Sequence, residues 1–183
     1  MNHLKLIALQ DFPLIEPGDD LSKIILNSIN NNNINIDDND VLVIAQKIVS
    51  KSENRYVDLE KVKISEEAKK LSLELEKDER LVQLIMNESN KIISTNKNVI
   101  IVEHKLGLIN INAGIDLSNI SQTKNQALLL PENPSKSAKK IQENLSKMLN
   151  KNISLIITDS MTRPYRYGVI NFAIASYNIQ SLI

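Results

Sequence analysis

The chain has 183 residues, 42% of them apolar and 24% charged, and its 22 basic and 22 acidic side chains balance to zero net charge. That balance argues against a general nucleic-acid or membrane-surface binder, which needs a basic excess, and the lack of cysteine excludes disulfides, thiolate nucleophiles and Cys-ligated metals. With His3 and His104 the only histidines, His-based metal sites and Ser-His-Asp triads are disfavoured, and a metal would be held by oxygen, which favours Mg²⁺ or Mn²⁺.

In chain order, LKLIALQ (4–10) reads as a short strand, and DFPLIEPGDD then breaks regular structure with two prolines and a glycine. DDLSKIILNSI (19–29) spaces Leu21, Ile24, Ile25 and Ile29 as a helix with acids at its N-terminal end. NNNNINIDDND is a polar loop expected to be mobile, and VLVIAQKIVS (41–50) reads as a buried strand running into a polar end. Ser65 caps a predicted helix over ISEEAKKLSLELEK, and a second amphipathic helix is expected over 78–93 with Leu81, Leu84 and Ile85 on one line. The segment 98–116 reads as two strands joined near Lys105–Gly107, and Pro134 opens a helix over 134–149. ISLIITD (153–159) is the clearest buried strand, and GVINFAIAS (168–176) alternates like another. Strands and helices mix without a repeat of fixed period or an interdomain linker, so one domain over 1–183 is expected. No stretch has the make-up of a signal peptide or the length of a membrane span, which points to the cytoplasm. The chain stops at NIQSLI directly after a strand and reads as a C-terminally truncated form of something longer.

The four glycines are scattered, and neither GxxxxGK[ST] nor GxGxxG occurs, so a bound phosphate would need side chains and a metal. Asp116 and Asp159 each close an apolar run, INAGID and LIITDS, where a sheet can present carboxylates to a cleft, and Ser160 adds a hydroxyl. From spacing alone, the same aspartates read more readily as turn initiators or helix caps, a common job for Asp after a strand. Lys47 and Lys51, with Gln46 before them, are open to two readings, a solvated strand end or phosphate neutralisation. Arg163 and Arg166, half of the chain's four arginines, are either an anion clamp for phosphate or carboxylate or a surface loop with an Arg–Tyr stack. His104 reads as a surface or turn residue between two strands.

Six segments in order together resemble the coenzyme F420-0:L-glutamate ligases: FPLIEPGDDL, DVLVIAQKIVSKSENRYVDL, DERLVQLIMNES, GLININAGIDLSNI, LLLPENPSKSAKKI and IITDSMTRPYRYGVINFAI. The resemblance implies an α+β fold, with amphipathic helices packed on a mixed sheet, in a homodimer. It also implies an enzyme that joins L-glutamate to coenzyme F420-0 by amide bonds at the expense of GTP, with Mg²⁺ or Mn²⁺ required and K⁺ assisting. Carried over residue by residue, it assigns metal ligation to Asp116, Asp159 and Ser160. Nucleotide contacts fall to Phe12, Pro13, Leu14, Ile15, Gln46, Lys47, Lys51 and Asn119. The chain departs from the pattern at Thr162, Ala175 and Asn178, where the family has glycines. These departures leave open a homologue that binds F420-type ligands without turnover.

Overall fold

The computed structural model describes residues 4–118, 125–162 and 167–180. Its architecture is α+β, built from three small sheets with helices packed against them. The first sheet is mixed and runs in the order β1 (Val41–Ala45), β7 (Ser154–Met161), β8 (Ile170–Tyr177). β1 pairs parallel to β7, with Val41 opposite Ser154, and β8 returns antiparallel, with Met161 opposite Ile170. β7 lies in the middle, and its Leu155 and Ile157 are fully buried, as a central strand with a parallel neighbour demands.

Helices α1 (Leu21–Asn31) and α5 (Pro134–Leu149) cover this sheet, so Ile25, Ile29, Ala138, Ile141 and Leu145 close one core with Ile44 and Leu155. The caps explain where the helices begin. The Asp20 carboxylate accepts from the backbone N–H of Ser22 and Lys23, and Asn133 accepts from Lys136 immediately before Pro134. A second core lies between helices α3 (Glu66–Leu75) and α4 (Glu79–Asn87) and the antiparallel sheet β3 (Ser89–Asn96), β4 (Val99–His104), β5 (Ile109–Ile111). Leu75, Val82, Ile85, Ile100 and Val102 fill it. The two-stranded ladder β2 (Tyr56–Asp58) with β6 (Gln126–Leu128) lies over a smaller cluster of Leu59, Leu84, Ala127 and Leu129, and Ile115 packs against both this cluster and the second core.

Four expectations change. Residues 4–10 form no strand: among the described residues no strand pairs with them, and Leu4 and Leu6 are exposed. The strand expected over 41–50 ends at Ala45, and α2 (Gln46–Ser52) takes over, burying Gln46, Val49 and Ser50 at helical spacing. The helix expected over 78–93 stops at Asn87, and the β-branched run Ile92–Ile93 belongs to β3. The polar loop before β1 is pinned. Asn39 N–H donates to the Asn152 carbonyl at 2.8 Å, the Asp38 carboxylate accepts from Asn152 N–H, and Ile34 and Ile36 pack on the first core.

Candidate active site

A polar cleft of about 400 Å³ opens where the first sheet meets the segment that follows β5. From the first sheet side come Ala45, Gln46, Lys47, Thr158, Asp159, Ser160 and Asn171. Gly114, Ile115, Asp116 and Ser118 face them from the other packing unit. Each charged group reaches the cleft by a different local route.

Gln46 and Lys47 are the first two residues of α2, placed at the mouth of the cleft by the abrupt turn from β1. Gln46 is buried, and its Oε1 accepts from the Ser50 hydroxyl at 2.8 Å, which turns the amide NH₂ toward Asp159. Asp159 lies near the C-terminal end of its strand, as the sequence suggests, without being its last residue. It sits inside β7, opposite Phe172, with Ser160 opposite Asn171. Burial pushes its carboxyl above the ordinary range. The Asp116 charge adds to the rise, against hydrogen bonds from the Ser160 N–H and Gln46 and the Lys47 charge.

Asp116 is not at a strand end. β5 stops at Ile111, and a 3₁₀ turn, Asn112–Gly114, carries three successive residues at positive φ, 53°, 55° and 66°. Ala113 is fully buried there in a conformation that costs an L-residue with a Cβ about 1–2 kcal/mol. A Cβ on Gly114 would meet Asn110 Nδ2 at 2.9 Å and Leu130 Cδ1 at 3.0 Å. The turn leaves the Asn110 amide and the Asn112 Oδ1 buried with no hydrogen-bond partner among the described residues. The chain then locks: Asp116 N–H donates to the Leu128 carbonyl and Leu128 N–H to the Asp116 carbonyl, at 3.0 and 2.9 Å. The carboxylate so placed takes Lys47 Nζ on Oδ2 at 2.6 Å, and the Ser118 N–H and hydroxyl on Oδ1, both at 2.8 Å. Burial raises the Asp116 pKa, and these bonds together with the Lys47 charge outweigh it, holding the carboxyl below its ordinary value.

The structure thus brings Gln46, Lys47, Asp116, Asp159 and Ser160 around one cleft. Phe12, Pro13, Leu14, Ile15 and Lys51 do not line it, and Ile15 is a buried member of the first core. Asn119, Arg163 and Arg166 lie outside the described residues. Sequence reasoning passed over Thr158, Ser118 and Asn171; cross-strand register alone places Asn171 opposite Ser160, and that register is not readable before the pairing is known. All three glycine departures are conformationally accommodated, Ala175 as a strand residue of β8 outside the positive-φ region. Asn178 adopts φ 59°, which asparagine tolerates, and Thr162 is not among the residues with positive φ.

Two carboxylates and a hydroxyl form an all-oxygen donor set, which fits a hard divalent cation that keeps water or phosphate oxygens as its other ligands. Among the described residues no group of three or more acidic or histidine side chains could cage a metal, so these residues would supply only part of a coordination sphere. No helix among the described residues is long and apolar enough to cross a membrane.

Fold and cleft together define a class: an α+β protein whose polar site joins carboxylates and a lysine across two packing units. The family model for F420-0:Gamma-glutamyl ligase matches residues 10–183, and the chain belongs to that family. It is similar to proteins named coenzyme F420:L-glutamate ligase in several archaea. The relative from Methanothermobacter thermautotrophicus is 36% identical over 93% of this chain and 67% of its own length. The Methanocaldococcus jannaschii relative is 39% identical over 80% and 58%, and that of Methanopyrus kandleri 33% over 100% and 71%. The chain therefore spans between just under three fifths and about seven tenths of these relatives.

Proposed function

We propose that this chain belongs to a GTP- and divalent-metal-dependent ligase that adds L-glutamate to coenzyme F420-0 through amide bonds. The observation that carries the reading is the meeting of Asp116, Asp159 and Lys47 at one cleft, from elements far apart in sequence. A carboxylate is a poor electrophile, so amide formation needs activation. In the proposed route a substrate carboxylate oxygen attacks the γ-phosphorus of GTP and GDP leaves. The glutamate α-amine then attacks the acyl phosphate carbonyl, phosphate departs and the amine loses its proton. Phosphoryl transfer asks for positioning and charge neutralisation rather than a protein nucleophile, which suits a site without Cys and with no His lining it.

Asp116, Asp159 and Ser160 would hold Mg²⁺ or Mn²⁺, which when bound screens the phosphate charge and acts as a Lewis acid. Gln46 and Lys47 stand beside them for the nucleotide, and Arg163 and Arg166 complete the proposal as clamps for the anionic substrate. An assisting K⁺, nucleotide contacts from Phe12–Ile15, Lys51 and Asn119, and a homodimer belong to the same reading. Incubation of the full chain with F420-0, GTP, L-glutamate and Mn²⁺ tests it: mass spectrometry should find F420-0 extended by one glutamyl unit with matching GDP. Neither product appearing, from folded protein that binds GTP, would sink the ligase reading.

A further inference from the structure

Both carboxylate oxygens of Asp116 are engaged. Its Oδ1 receives two hydrogen bonds from Ser118, and its Oδ2 is covered by the Lys47 ammonium at 2.6 Å. Lys47 Nζ also donates to the Ser118 carbonyl at 3.2 Å, so it bridges the α2 side of the cleft to the segment after β5. Across the cleft Asp159 has no ammonium or guanidinium within ion-pair distance among the described residues. It accepts from the Ser160 N–H at 2.8 Å, with the Gln46 amide beside it. Among the described lining residues, two carboxylates and one ammonium sum to a net negative charge, which disfavours a polyphosphate. A cation approaching Asp116 Oδ2 meets the Lys47 ammonium, 2.6 Å from that oxygen.

We infer that Lys47 is a displaceable counter-cation: a divalent metal entering between Asp116 and Asp159 expels its ammonium, which then turns to the phosphates of the nucleotide. This rests on the metal reading of the two aspartates given above. The exchange inverts the charge of the cleft, because the metal neutralises both carboxylates and the lysine stays behind without its acid. Lysine suits this part, being a point charge on a four-carbon stem with freely rotating donors, and its side chain is already about one third exposed. Metal and nucleotide each have to break the same ion pair, so whichever binds second is spared that cost. Their affinities are therefore coupled through Lys47, over and above any direct contact between metal and phosphate.

Mn²⁺ titration of the full chain followed by electron paramagnetic resonance, with and without GTP and with no other substrate, tests the exchange. Lys47→Met and Lys47→Gln should bind Mn²⁺ alone about tenfold more tightly than the unaltered protein, and Lys47→Arg, which keeps the charge, should not. The factor by which GTP tightens Mn²⁺ binding should drop about fivefold or more in the two neutral variants. Circular dichroism establishes that each variant is folded, and two neutral replacements guard against one of them failing. Unchanged or weaker Mn²⁺ affinity in both folded neutral variants overturns the exchange while leaving the metal site standing. Absence of saturable Mn²⁺ binding in every protein, GTP present or not, overturns the metal reading and the exchange with it.

Discussion

Asp116 and Asp159 are the same residue type at the same cleft, yet their surroundings push them in opposite directions. Asp116 is stabilised as an anion, and Asp159 pays for burial beside it without a matched cation. Asp159→Asn should therefore abolish Mn²⁺ binding yet raise the unfolding free energy at neutral pH, by an amount on the order of 1 kcal/mol. Asp116→Asn also loses the metal, but it breaks the bond to Lys47 and should leave stability unchanged or lower. Calorimetric melts of the two variants separate these signs. His104 offers a second residue-scale test. Its Nδ1 accepts from the Leu106 N–H, its Nε2 has no hydrogen-bond partner among the described residues and lies 3.8 Å from Glu88 Oε2, and it is only 3% exposed. Burial lowers its pKa to about 4, with help from the Lys105 and Arg55 charges, which also sit on the nearby Glu88 carboxylate. A histidine with a lowered folded-state pKa binds fewer protons folded than unfolded between about pH 4 and 6.5. Stability should thus be intact above that window and fall through it on acidification, by up to about 3 kcal/mol. In His104→Leu, denaturant melts at pH 7 and pH 4.5 should differ less than they do in the unaltered protein.

At the scale of elements, the turn Asn112–Gly114 decides where Asp116 points. Gly114→Ala would place a Cβ within 3.0 Å of Asn110 and Leu130 at a φ of 66°, so it should cost about 2–3 kcal/mol and weaken Mn²⁺ binding together. A melt that falls while Mn²⁺ affinity holds would show that the turn supports the fold but not the site. Such a turn was not legible in INAGID, because the apolar run gives no sign that two non-glycine residues adopt positive φ. Helix starts were legible, since Asp20, Ser65 and Pro134 announce them by capping chemistry. The changes of state at Ala45–Gln46 and Glu88–Ser89 were not, because no glycine or proline marks them. His104 was misplaced for a correctable reason: Ile100, Val102 and His104 alternate along β4, and that period puts the histidine inside with the other two. The two acids of the site were recognisable from their position after apolar runs. Their approach to Lys47 was not, because it depends on contacts between segments some 70 residues apart.

At the scale of the molecule, the cleft lies between units that bury separate cores, one around Leu155 and Ile157 and the other around Ile85 and Val102. Asp159 belongs to the first, and Asp116 is carried on the segment leaving the second, so a cation shared by the two would tie the units together. Ligand that binds only the folded chain stabilises it by RT ln(1 + [L]/Kd), about 2.7 kcal/mol at a hundredfold excess over Kd. For a chain of this size that corresponds to a rise in melting temperature of roughly 5–10 °C. Scanning calorimetry with Mn²⁺ at that excess should show the rise, and a chelator should reverse it. The rise should be lost in both Asp116→Asn and Asp159→Asn. A metal held by one unit alone gives a different result: the rise survives one of the two substitutions, and that outcome would place the ion off the junction.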